Sequence, residues 1–80
     1  MSEKIIRYSG GLAKLFISKQ EKGDYIGSIL YYEKAGSPTE KEGIILDFHL
    51  HSFLASDEKE AIEIAKQWFR DNIDNNFTIA

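Results

Sequence analysis

The sequence predicts an α+β domain: an antiparallel three- or four-stranded β-meander with one C-terminal amphipathic helix packed on one face. Three observations lead there. Runs rich in β-branched and aromatic residues alternate with glycine- or proline-bearing breaks that turn strands back on themselves. After position 56 that pattern gives way to apolar residues at helical spacing. No repeat, low-complexity tract or linker divides the 80 residues, so 1–80 is expected to be a single domain.

The elements follow in order. Residues 4–8 (KIIRY) are either a short strand of their own or the start of the next one before a bulge at Gly10-Gly11. Residues 12–20 and 24–34 have strand length. Between them Glu21-Lys22-Gly23-Asp24 reads as a tight hairpin turn, glycine supplying the positive φ. AGSPTEKEG, residues 35–43, holds the only proline and reads as a longer solvated loop. Residues 43–53 form the last long strand. A helix is expected over 57–73, with Ala61, Ile62, Ala65, Trp68, Phe69 and Ile73 as its apolar stripe. Ser56 or Asp57 can cap it, and Glu60 stands where a capping box places an acid. The closing FTIA is a strand stub or a frayed end.

Alternation assigns the faces. Ala13, Leu15 and Ile17 are expected towards the helix, as are Ile44, Leu46, Phe48 and Leu50, with Trp68 as their largest partner. Asp47, His49 and His51 then face away. Residues 24–34 are apolar on both parities and leave their facing open. Phe16, Ile45 and Phe53 fall on the side without the helix, and an apolar second face needs a cover, for which another copy of the chain suffices.

Composition narrows function. With no cysteine there is no disulfide and no thiolate metal site. No apolar run approaches the roughly 20 residues of a membrane span. The start lacks the apolar stretch of a signal peptide, so a cytoplasmic home and no membrane partner are expected. Residues 1–34 carry six basic against four acidic residues and 35–80 four against nine, a net +2 and −5. That is far from the concentrated basic face of a dedicated nucleic-acid binder.

A β-meander followed by Ser56-Asp57-Glu58-Lys59-Glu60-Ala61 and on to Ala65 resembles small HicB-like domains, whose core arrangement is similar to that of double-stranded-RNA-binding domains. The resemblance spans residues 12–73 in layout. It implies a small protein partner and oligomerisation, as is typical of HicB-like antitoxins. The chain departs from that pattern in having AGSPTEKEG where a P-x-L-P-G segment is usual, and in lacking the basic loop and helix-end lysines of a double-stranded-RNA reader.

The chemistry-bearing candidates are few. Asp47, His49 and His51 alternate on one strand with neighbours roughly 6–7 Å apart, a spacing at which two imidazoles can share a divalent ion, with Asp47 third and Glu33 or a second chain fourth. The same residues are also the ordinary polar row of a half-exposed strand. Ser52, His49 and Asp47 have triad chemistry but lie on one strand, with Ser52 on the other side, so no catalysis is expected. Exposed aromatics with lysines can stack single-stranded bases, and the pair Tyr31-Tyr32 with Tyr8, Tyr25, Phe16 and Phe53, near Lys14 and Lys34, are the candidates. The expectation is therefore a small non-catalytic interaction domain, bacterial in style and without cofactor. Its partner or ligand face would be Phe16, Lys14, Tyr25, Tyr31, Ile45 and Phe53, and its partner itself or another protein. Single-stranded nucleic acid and a divalent metal on His49, His51 and Asp47 are the alternatives.

Overall fold

Among the described residues five strands and one helix follow one another as β1 (Ser2–Tyr8), β2 (Gly11–Lys19), β3 (Tyr25–Ala35), β4 (Ile45–Ala55), α1 (Glu58–Asn72) and β5 (Phe77–Ile79). The computed structural model describes residues 2–35 and 45–80, without the side chains of residues 33–35 and 45–47. The expected loop over 35–43 falls, beyond Ala35, outside the described residues, as does Ile44. The sheet order is β4-β3-β2-β1-β5, and each neighbouring pair is antiparallel.

Short turns set the first registers. In the β2–β3 hairpin the Gln20 N–H donates to the Asp24 carbonyl at 2.7 Å, and Gly23 sits at φ 98°. That is the left-handed geometry for which glycine is suited. β1 and β2 are separate strands, with Tyr8 opposite Gly11. Gly11 has φ 130°, and a Cβ there would collide with the Tyr32 hydroxyl, which donates to the Gly10 carbonyl at 2.9 Å.

The helix begins two residues after β4 ends and delivers the chain to β5, at the far edge of the sheet. Fifteen residues at about 1.5 Å each give a helix about 22 Å long, close to the roughly 19 Å spanned by four inter-strand spacings. Asp57 caps the helix by accepting from the Glu60 N–H at 2.7 Å. The Glu60 carboxylate reaches one residue further back than a standard capping box. It accepts from the Ser56 N–H at 3.2 Å and the Ser56 hydroxyl at 2.9 Å.

Ala61, Ala65 and Phe69, at four-residue intervals, are the buried spine of the helix. Against them lie Ile6, Ala13, Leu15, Ile17, Ile29 and Ala55, which completes the core. The two alanines let the helix axis approach the sheet where the branched side chains of β2 and β3 stand tallest. Phe69 is fully buried and meets Tyr8 and Phe77 edge-on, each at 5.0 Å between ring centres. The same side chain therefore holds the helix to β1 and to β5. FTIA is thus a short fifth strand, of three residues, which is too few to carry a readable alternation.

One expectation is overturned. The helix-facing row of β4 is the odd one, containing His51, Phe53 and Ala55, whereas Phe48 and Leu50 lie on the opposite face, exposed. β3 and β4 pair one to one from Tyr25↔Ala55 to Ala35↔Ile45, so Ile29 and His51 share a face. A one-residue slip in this pairing would exchange the two rows completely. The residue beside the helix start must also be small, and Ala55 is. Trp68 is accordingly no core partner of an aliphatic row; it lies at the helix flank, flat on His51.

Beyond the helix, the Ser9 hydroxyl donates to Asp74 at 2.6 Å and the Asn76 N–H donates to the other carboxylate oxygen at 2.9 Å. The Ser9 hydroxyl, and then the Asn76 N–H, hold the Asp74 carboxyl below its ordinary value. A carboxyl lowered by folding stabilises the fold above the ordinary carboxylate range, and that contribution disappears as pH falls through the folded value. Asp74→Ala should therefore lower Tm at neutral pH, with the gap from the parent closing in acid. Thermal melts over a pH series test this, and a gap that widens in acid contradicts it. Phe69→Ala should cost about 3–5 kcal/mol by urea titration. A loss below about 1 kcal/mol is incompatible with the role given to that ring.

Candidate interaction face

Parity along each strand divides the sheet into a helix face and an open face. The open face carries Leu12, Lys14 and Phe16 from β2, Ile26, Ser28, Leu30 and Tyr32 from β3, and Phe48, Leu50, Ser52 and Leu54 from β4. Pairing aligns them across the sheet: Lys14, Leu30 and Leu50 in one row, Phe16, Ser28 and Ser52 in another. The Ser28 and Ser52 hydroxyls share a hydrogen bond at 3.0 Å, a polar spot within an apolar surface. Among the described side chains the charge on this face lies towards β1, where Lys14 pairs with Glu3 at 3.0 Å. Leu12, Lys14, Leu30, Tyr32 and Phe48 line a shallow depression of about 160 Å³.

Exposure is concentrated on the edge strand. Phe48, Leu50 and Leu54 are 66%, 63% and 67% exposed, and Leu12 is 47% exposed. Scattered apolar residues on a surface are normal, but three large ones on one face of one strand, interrupted only by Ser52, are a mark of an interaction site.

The residues expected at the site divide between the two faces. Phe16 and Lys14 are on the open face, as anticipated. Tyr25, Tyr31 and Phe53 instead pack beside the core under the helix face, and the Ile45 side chain lies outside the described residues. Phe53 rests on Gly27, where a Cβ would clash with its ring. Of the rings named for base stacking, Phe16 and Tyr32 lie on the open face with Lys14, whereas Tyr8, Tyr25, Tyr31 and Phe53 lie on the helix face. The missed residues are Phe48, Leu50 and Leu54. The available signal for them was Ala55, whose small side chain before the helix cap marks its own parity as the inner one.

His49 and His51 also face the helix side, not away from it. His51 stacks on Trp68 with ring centres 4.1 Å apart and planes 9° apart, while His49 stacks on Tyr31 at 5.3 Å. Tyr31 in turn lies 5.4 Å from Trp68. The row is an aromatic flank to the helix, suited to the strip of β4 that the helix only partly covers. Among the described residues no group of three or more His, Asp or Glu is placed to hold a metal ion, and the Asp47 and Glu33 side chains lie outside them. Ser52 stands on the face opposite the histidines, so Ser52, His49 and Asp47 do not converge.

No described helix is long and apolar enough to cross a membrane. Compared with known protein families, with curated proteins and with solved structures, the chain finds no match. The class that fold and surface define is a small antiparallel α+β domain with one apolar sheet face uncovered by its helix.

Trp68 is the chain's only tryptophan, so its emission reports on the stack with His51. His51→Ala should shift that emission to the red and reduce stability by about 0.5–1.5 kcal/mol. An unchanged spectrum would mean that the stack is not populated in solution.

Proposed function

We propose that this chain is a non-catalytic interaction domain that self-associates through the apolar row β4 presents on the open face. The observation that carries the reading is that the most apolar row of the longest edge strand is the one left exposed. Complete burial of a leucine or phenylalanine side chain is worth about 1.5–3 kcal/mol, so three of them along one strand leave a large unrealised gain. A domain of this length buries only roughly 60% of its unfolded-chain surface, and association is one of the ways such domains become stable. The layout resemblance to HicB-like domains, whose members bind a small protein and often oligomerise, supports the same reading.

A second copy fits the face better than a strongly charged partner does. Lys14 is already engaged by Glu3, and the other described side chains of β2–β4 there are leucine, isoleucine, aromatic and serine. The reading predicts reversible dimer formation in sedimentation velocity as concentration rises from micromolar towards millimolar. Leu50→Lys, on an exposed side chain, should leave the far-ultraviolet circular dichroism unchanged and weaken association by about tenfold or more. A monomer at every concentration, together with no protein partner in a pull-down, defeats the reading.

A further inference from the structure

The exposure of the open face is uneven in a way that indicates what is missing. Ile26, Leu30 and Tyr32 of β3 stand on the same face as the β4 row, and no described element covers them either, yet they are only partly exposed. Leu30 and Leu50 are directly opposite one another. Leu30 has β2 on one side and β4 on the other, whereas Leu50 has a strand on one side only. Leu12 fits the same rule: β1 flanks it at Arg7, but the β2–β3 pairing stops at Lys14↔Leu30. What the β4 row lacks is therefore a neighbouring strand more than a lid.

β4 is also equipped to accept one. It is the last strand of the sheet, and its eleven residues pair with β3 without a bulge. ILDFHLHSFLA contains no lysine and no proline, two of the usual means of blunting an exposed edge, and among the described residues no strand pairs with its outer side. The opposite edge, β5, has only three residues.

We infer that two copies join antiparallel along their β4 edges, about a two-fold axis near Leu50, into one continuous ten-stranded sheet. This rests on the self-association proposed above and names its geometry. Full overlap of the two strands sets Leu50 against Leu50 of the second copy, Phe48 against Ser52 and Leu46 against Leu54. On the helix face it sets His49 against His51. Asp47 is the only acidic or basic side chain in β4, leaving the histidines aside, so full overlap brings no two carboxylates together. The interface is isologous, as a two-fold requires. An edge about 37 Å long and roughly 10 Å deep gives near 400 Å² per copy, below the roughly 800 Å² of a standard interface, so the dimer is weak and reversible.

The chain has no cysteine, which permits a clean test by single-cysteine variants. Leu50→Cys lies on the proposed axis and Leu30→Cys at the centre of the open face. Each is treated at high protein concentration with a bis-maleimide long enough to tolerate a two-residue slip in register, and dimer is read on a denaturing gel. Circular dichroism confirms that each variant is folded. Edge pairing predicts strong cross-linking of Leu50→Cys and at least about tenfold less of Leu30→Cys. Equal or stronger cross-linking of Leu30→Cys means the sheets stack face to face; this overturns the edge geometry and leaves self-association standing. If neither variant cross-links and sedimentation shows only monomer, both fall, and the β4 edge is left for a strand of another protein.

Discussion

Among the described residues a single helix about 10 Å across is the only cover this sheet has, and that limit decides which side chains are buried. The helix must start beside β4 and finish beside β5, so it crosses the sheet obliquely. Its spine of Ala61, Ala65 and Phe69 meets β1, β2 and β3 along that path, and Ile6, Leu15 and Ile29 are fully buried there. The rest of the fold adapts to the same path. Ala55 is small where the helix begins, and Phe69 is large where the helix ends between Tyr8 and Phe77. His51 and Trp68 form a flat stack along the flank, where the cover thins out.

That geometry explains what was legible in the sequence. Ala13, Leu15 and Ile17 declare themselves because β2 lies inside the sheet, where alternation and burial agree. The helix stripe, the cap at Asp57 and the turn at Gly23 are local features, readable from spacing and from single residue types. The facing of β3 was within reach as well. The short turn relates Leu15 to Ile29, so an inward Leu15 brings Ile29 in with it. β4 was beyond such reasoning, because the residues before it are too many to transmit a register. Apolarity alone then chose the wrong row, since an edge strand obeys a different rule: its richer row can face a partner the chain does not contain.

The facing of the candidate residues on β4 turns on the same parity. Placing Phe48 and Leu50 inside forced His49 and His51 outside, where they resembled ligands. With the parity exchanged, the histidines become aromatic neighbours of Trp68 and Tyr31, and the leucines become the surface to be explained. Histidine suits a half-covered flank because its ring packs on an indole face while its nitrogens remain able to meet water.

The unequal edges of the sheet carry a further consequence for assembly. A sheet with two long free edges can add copies at both ends and grow into a fibre. Here the eleven-residue β4 stands at one edge and the three-residue β5 at the other. Pairing β4 with β4 uses the long edge of both copies at once and leaves a short strand at each end of the joined sheet. The closed dimer then presents little template for a third copy. An edge without lysine, proline or bulge is hazardous in a monomer, but it is compatible with a soluble protein once its partner is an identical edge.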